Sequence, residues 1–312
     1  MYSDHSIFCN IVIFIEDCIS NHTMQTIYNE VLAVTVNPKG AELNSIFHKQ
    51  HKLEYLWGAD PAYWAKKSPV LFPIVGALKD NTYFFKDNPY QLSRHGFARE
   101  STFTVSEQTQ DAVTFSLISD GHTLTVYPFH FEFRLHYALT GSTLNVTYEV
   151  KNLTGDDMYF SVGGHPAFKV PLAEGTTYDQ YYLEFNQPEN AARWLIAADG
   201  RIKDTPEPLL HASNQLPLSK RLFYEDAVVF KHLSSNRVSL RSDGTSHGLE
   251  MDFSGFPYLG IWAAKDADFV CLEPWCGIAD SIHTNQQLID KEGINHLPAH
   301  ETFSRTWTVT LF

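Results

Sequence analysis

Apolar residues along this chain recur with a period of two. Phe131, Phe133, Leu135 and Tyr137 alternate with Glu132, Arg134 and His136. After Thr140-Gly141-Ser142 the alternation resumes, with Leu144, Val146, Tyr148 and Val150 set against Asn145, Thr147 and Glu149. Successive strand residues point to opposite faces, so the pattern predicts a β-hairpin with one apolar face and a short Gly-containing turn. Thr102–Glu107 and Ala112–Ile118 form a second such pair around residues 108–111. Further strands are expected at Val31–Val36, Tyr181–Phe185, Arg237–Arg241, Gly248–Phe253, Tyr258–Ala263, Phe269–Glu273 and Arg305–Phe312, the last rich in Thr, Trp and Val. Helical signals are sparse. Asp60-Pro61 reads as a cap followed by proline at the first helical position, predicting a turn or two over Asp60–Lys66. Thr284–Asp290 is a second short candidate. Many short strands separated by turn signals predict an all-β sandwich or barrel.

Composition narrows the partners. The chain has 23 Lys+Arg against 36 Asp+Glu, a formal net charge of −13, and that balance argues against nucleic acid, whose phosphates demand basic surfaces. Aromatic residues are plentiful, with 22 Phe, 15 Tyr and 6 Trp, which suits both an all-β core and a carbohydrate surface. No apolar run approaches the ~20 residues that cross a bilayer. Residues 1–23 hold no Lys or Arg, unlike a secretory leader, and Met24 opens a more convincing start. We therefore expect an N-terminal extension over residues 1–23, a single domain over residues 24–312, and a cytoplasmic location. Cysteine usage fits a reducing compartment: Cys9, Cys18, Cys271 and Cys276 show no disulfide framework and no zinc-type spacing. Cys271 and Cys276 read as reduced packing residues.

Three segments interrupt the strand pattern with polar residues beside Gly or Pro: Arg94-His95-Gly96-Phe97-Ala98-Arg99, Gly163-Gly164-His165-Pro166-Ala167-Phe168 and Cys271-Leu272-Glu273-Pro274-Trp275-Cys276. A strand ending in His-Pro or Glu-Pro presents its side chain from a rigid terminus, as sites built on a scaffold require. No nucleophile elbow, phosphate loop or dinucleotide fingerprint occurs. General acid–base chemistry by a histidine and a carboxylate is what these residue types leave open.

Together, and in this order, the three segments resemble the signature stretches of the aldose 1-epimerases, the galactose mutarotases, and within them the LacX-like branch. Glu54-Tyr55-Leu56-Trp57, residues 69–76, Leu259-Gly260-Ile261-Trp262 and Lys291-Glu292-Gly293-Ile294 extend the resemblance over about residues 24–312. It implies a large twisted β-sandwich, few short helices, and a sugar held in a cleft across one sheet. It implies that His165 is a general acid for the ring oxygen and Glu273 a general base for the C1 hydroxyl. His95 and Asp226 would bind substrate, and Trp275 and Phe97 would offer rings to the sugar faces. No metal, cofactor or covalent intermediate is implied, and the protein would act as a monomer or homodimer. One departure stands out. The family usually carries Gly-Arg where this chain has Gly76-Ala77, so a sugar contact is missing, and Arg94 is the candidate replacement.

Alternatives share parts of this pattern. A hexose-6-phosphate epimerase would need a basic cluster, for which Lys66, Lys67, Lys79, Arg94 and Arg99 are available. A sugar-binding or sensing module would keep the pocket without catalysis. A glycoside hydrolase would normally require two carboxylates where this pattern offers a histidine and one. An acid–base pair of ordinary pKa predicts a bell-shaped rate profile near neutrality.

Overall fold

The computed structural model describes residues 23–312. The extension expected over residues 1–23 falls, apart from Thr23, outside the described residues. The chain is all-β, and every pairing between its named strands is antiparallel.

The larger sheet has nine strands, running in space Ser213–Pro217, Tyr181–Glu189, Arg237–Ser242, Thr245–Asp252, Thr302–Leu311, Thr143–Asn152, Phe131–Thr140, Ala112–Ile118 and Thr104–Gln108. It contains, next to its middle strand Thr302–Leu311, the hairpin read from the sequence. Phe133 pairs with Val150, Leu135 with Tyr148 and Tyr137 with Val146, which keeps every apolar side chain on one face. The second sheet runs Ile202–Pro208, Ala192–Ile196, Val228–Lys231, Tyr258–Trp262, Phe269–Cys276, Val162–Gly164 and Val70–Leu71, with Ala167–Lys169 as an eighth strand on Phe269–Cys276. A four-stranded sheet of Gln25–Tyr28, Leu32–Asn37, Glu42–His48 and Leu53–Glu54 completes the frame.

One apolar cluster joins the sheets. The Phe72 ring, just beyond the last strand of the second sheet, stacks on Phe133 of the nine-stranded sheet with centroids 4.5 Å apart, and meets Phe131 at 5.0 Å. Rings interdigitating from two inner faces are the core of a β-sandwich.

The expected helices do not form. Over Asp60–Lys66 a single turn closes, with Tyr63 and Trp64 donating their N–H groups to the Asp60 carbonyl. The Trp64 carbonyl then accepts the Trp57 indole N–H, so the chain leaves helical geometry there. Within Thr284–Asp290 only Leu288–Asp290 is a 3-10 turn. Gln286 has φ 63°, and its backbone carbonyl and side chain are recruited by Phe84, Lys79 and Thr82. A four-residue α-turn the pattern gave no sign of, Thr123–Val126, starts behind Asp120, whose carboxylate accepts the Thr123 N–H.

Candidate active site

Phe269–Cys276 is buried at all eight positions. Period-two geometry puts Cys271, Glu273 and Trp275 on one face and Val270, Leu272 and Cys276 on the other. On the first face the sheet borders a cavity of about 350 Å³, a size suited to a small ligand. His165 reaches it from the turn between Val162–Gly164 and Ala167–Lys169, directly beside the Glu273 strand.

His165 Nε2 lies 3.3 Å from Glu273 Oε2, and the two residues are 8% and 2% exposed. Their contact is close without being aligned as a hydrogen bond, because Glu273 Oε2 and His165 Nδ1 both lack a hydrogen-bond partner, as does Trp275 Nε1. Buried polar atoms seldom go unpaired, and these three border one cavity. Burial drives the Glu273 carboxyl well above its ordinary range; the Asp226 carboxylate adds to this and the Trp275 side chain opposes it. Burial drives the His165 imidazole down; its own backbone pulls the other way and the Arg99 guanidinium adds to the drop. Such surroundings favour a neutral carboxyl beside a neutral imidazole, which together hold one proton.

His95 enters from the Arg94–Arg99 segment. Its backbone sits at φ 69°, and Asp226 at φ 85°, left-handed conformations that non-glycine residues seldom adopt and that cluster where side chains must be aimed. His95 donates its N–H to the Gly76 carbonyl, and its Nδ1 accepts the Gly76 N–H. In the neutral ring this leaves the proton on Nε2, free to donate. Burial lowers the His95 pKa strongly, helped by His165, Arg99 and Arg94, so the neutral form is the working one. The next residue, Gly96, has φ 71°, and a β-carbon there would run into the Phe72 carbonyl. No other residue suits both constraints.

Of the residues singled out from the sequence, Arg94, His95, His165, Asp226, Glu273 and Trp275 line this cavity together. Phe97 does not. Its ring packs among Phe72, Tyr127 and Phe131, with Phe131 stacked at 6.0 Å, so it serves the core and not the cavity wall. Of the five basic residues weighed for a phosphate, Arg94 and Arg99 line the cavity and Lys66, Lys67 and Lys79 do not; Lys66 is drawn to Glu100 and Glu42, and Lys67 donates to the Asn44 carbonyl. Sequence reasoning passed over Trp64, whose ring stacks on His165 at 5.0 Å, and the role of Trp262, which meets His165 edge-on at 5.6 Å. A Trp in the Leu259–Trp262 stretch and one beside a failed helix were the available signals. It also passed over the turn at Gly200. A larger cavity, about 620 Å³, bordered by Phe85, Asp156, Tyr159 and Ile289, contains none of the candidate residues.

One set of potential metal donors exists among the described residues. His165, Cys271 and Glu273 each bring a ligand atom within 4.8 Å of the others. Cys271 and Cys276 are both free and buried.

The sequence model of the family described as aldose 1-epimerase matches residues 23–288. The chain belongs to the aldose 1-epimerase family. Protein LacX of Lactococcus lactis subsp. lactis, in chromosomal and plasmid forms, is 35% identical over 292 residues, covering 91% of this chain and 97% of the relative. A solved galactose mutarotase related enzyme from Lactobacillus acidophilus superposes with a TM-score of 0.89 at 34% identity, covering 93% of this chain and 97% of the other. A galactose mutarotase-like protein from Lactobacillus casei gives 0.86 at 31% identity, covering 93% and 100%. Membership of the aldose 1-epimerases supports an isomerase acting on a sugar. No helix among the described residues is long and apolar enough to cross a membrane.

Against the aldose 1-epimerase pattern, Ala77 now has a physical setting. It is 4% exposed and lies against the Gly200 turn. Gly200 has φ 85°, and a β-carbon there would collide with the Arg94 guanidinium and stand 3.0 Å from the Ala77 β-carbon. The Arg94 guanidinium and the Ala77 β-carbon thus meet one face of the Gly200 turn, with Arg94 at the cavity.

Proposed function

We propose that this protein is an aldose 1-epimerase that interconverts the α and β anomers of a hexose by acid–base ring opening and closure. The observation that carries the reading is the buried His165–Glu273 contact of 3.3 Å on the floor of a sugar-sized cavity. The Glu273 carboxylate takes the proton of the C1 hydroxyl. The C1–O1 bond becomes a carbonyl as the C1–O5 bond breaks, and the His165 imidazolium gives its proton to O5. Rotation about C1–C2 and closure on the other face reverse both transfers.

Proton bookkeeping explains why burial helps. The cyclic sugar reacts from carboxylate plus imidazolium, and the open aldehyde is accompanied by neutral acid plus neutral imidazole. These states hold the same number of protons. Burial favours the neutral pair, so it stabilises the enzyme form that accompanies the otherwise unfavourable open chain. His95 Nε2–H and the Asp226 carboxylate orient hydroxyls, while Trp64, Trp262 and Trp275 give the cavity apolar walls against which sugar faces pack.

A second reading draws on one observation. Arg94 and Arg99 line the cavity, and neither guanidinium pairs with a carboxylate among the described residues. Unpaired guanidinium groups favour an anionic substituent, which makes a hexose 6-phosphate the alternative substrate. NMR anomer exchange, starting from pure α-glucose, α-galactose and their 6-phosphates, tests both readings. Acceleration by wild type that vanishes in Glu273→Gln supports the epimerase. Faster exchange of a 6-phosphate than of its parent sugar favours the second substrate class. A folded protein that binds sugar without accelerating exchange would leave a binding module.

A further inference from the structure

We propose that the floor of this cavity is also a site for one thiophilic divalent cation, such as Zn²⁺ or Cd²⁺, held by His165, Glu273 and Cys271, whose occupation blocks anomer exchange. The blocking rests on the acid–base reading above; the binding does not.

Cys271 stands two residues before Glu273 on the same strand and the same face. The strand period thus stacks a thiol behind the carboxyl, and His165 closes the group from the neighbouring turn. Tetrahedral zinc with bonds of 2.0–2.3 Å sets its ligand atoms roughly 3.3–3.8 Å apart. His165 Nε2 and Glu273 Oε2 are already at 3.3 Å, and all three donors fall within 4.8 Å. Glu273 Oε2 has no hydrogen-bond partner and is enclosed in a residue 2% exposed, so the donor set includes a buried polar atom awaiting one.

Charge favours the same ion. The cation binds with release of protons from its ligands, leaving thiolate, carboxylate and neutral imidazole around M²⁺. That bound group carries no net charge, which a buried site demands. One sulfur, one nitrogen and one oxygen suit zinc-like ions. Mg²⁺ and Ca²⁺ require six or more oxygen ligands and would not compete.

The test uses the full chain with Cys9→Ser and Cys18→Ser, so that Cys271 and Cys276 are the only thiols. Cd²⁺ is titrated while thiolate-to-metal charge-transfer absorption and proton release are followed, and Zn²⁺ is titrated into the anomer-exchange assay. We expect one Cd²⁺ with the thiolate band, protons released, and loss of exchange with Zn²⁺. In Cys271→Val the band disappears and the Zn²⁺ needed for half-inhibition rises at least roughly tenfold, while metal-free exchange persists. Cys276→Ala, whose sulfur faces away, keeps the band. Should Cys271→Val not fold, Glu273→Gln in the same background must weaken Cd²⁺ binding by the same factor. No band before Cys271 is altered, or a band that survives Cys271→Val, overturns the proposal. A band and proton release in a protein that exchanges no sugar would uphold the metal site and sink the acid–base reading instead.

Discussion

Two strands show how differently the two sheets are used. Phe131–Thr140, in the nine-stranded sheet, alternates buried and half-exposed positions, because one face meets the core and the other meets solvent. Phe269–Cys276, in the second sheet, is buried throughout, because one face meets the core and the other the cavity floor. A carboxylate on the solvent face of the first sheet costs little. Glu149, on the neighbouring strand, stays half-exposed and lies 3.6 Å from Arg134. On the second strand the same group loses its hydration and has its proton affinity raised. One sheet keeps its carboxylates hydrated, and the other holds a dehydrated His165–Glu273 pair.

The sharpest way to break this contrast is to remove a carboxylate from each. Glu273→Gln should lower kcat by roughly 10²–10⁴-fold, with the melting temperature unchanged or higher, because an ionisable group leaves a dry site. Glu149→Gln should leave exchange unaltered and cost no more than ~1 kcal/mol. Polarimetry and thermal unfolding of both variants check this, and a Glu273→Gln enzyme that retains full activity would sink the mechanism.

Phe133→Ala inverts the pattern. The ring is fully buried and stacked on Phe72, so its loss should cost about 3–5 kcal/mol in denaturant unfolding while the turnover of folded molecules is kept.

The pH dependence sharpens the comparison from the cavity side. Ordinary groups would hold one proton per His–Glu pair only between about pH 4.3 and 6.5. With His165 pushed down, the second proton joins only at a more acid pH. With Glu273 pushed up, the alkaline limb is set by a carboxyl and not by an imidazole. With His165 pushed down to about 3, the acid limb of the kcat/KM profile should lie below the ordinary carboxylate value. An acid limb centred at about pH 4.3 would show that the pair is more hydrated than its burial implies.

Smaller effects come from the periphery. Arg94→Ala should raise KM by about tenfold to a hundredfold, the loss of a charged hydrogen bond worth ~1.5–3 kcal/mol, with kcat nearly kept. Steady-state kinetics on the preferred sugar reads this directly, and an unaltered KM would remove Arg94 from the site. Thr147→Ala, which breaks an exposed cross-strand hydroxyl pair with Thr306, should shift stability by about 0.5 kcal/mol or less in urea titration.

Legibility followed the same division. The Phe131–Asn152 hairpin could be read residue by residue because its outer face is wet, and alternation exists only where the two faces differ. The strand over Phe269–Cys276 was read three residues short, since Pro274 looked like a stop and an enclosed strand has no period to follow. Its Glu273-Pro274-Trp275, taken alone, reads as a turn against a core aromatic, and stands out only beside the other two segments. Phe97 misled for the opposite reason. Adjacent to His95 and Gly96 in sequence, it is turned by the left-handed backbone at those two positions into the aromatic core. Trp64 was hidden because its place on His165 depends on one turn closing and then stopping, which no local propensity encodes. Cys271 joins His165 only through strand pairing, so metal-type spacing along the chain never arises.

The Gly200 turn has an evolutionary corollary. The Ala77 β-carbon and the Arg94 guanidinium both crowd the space a Gly200 β-carbon would fill, so an arginine at position 77 would compete with Arg94 and the turn for one volume. Ala77→Arg alone should therefore be harmful in this background, and tolerable only after the turn has been shortened or moved. Two ways of presenting a guanidinium would then be separated by a fitness valley, which the anomer exchange of Ala77→Arg, alone and with Arg94→Ala, would reveal.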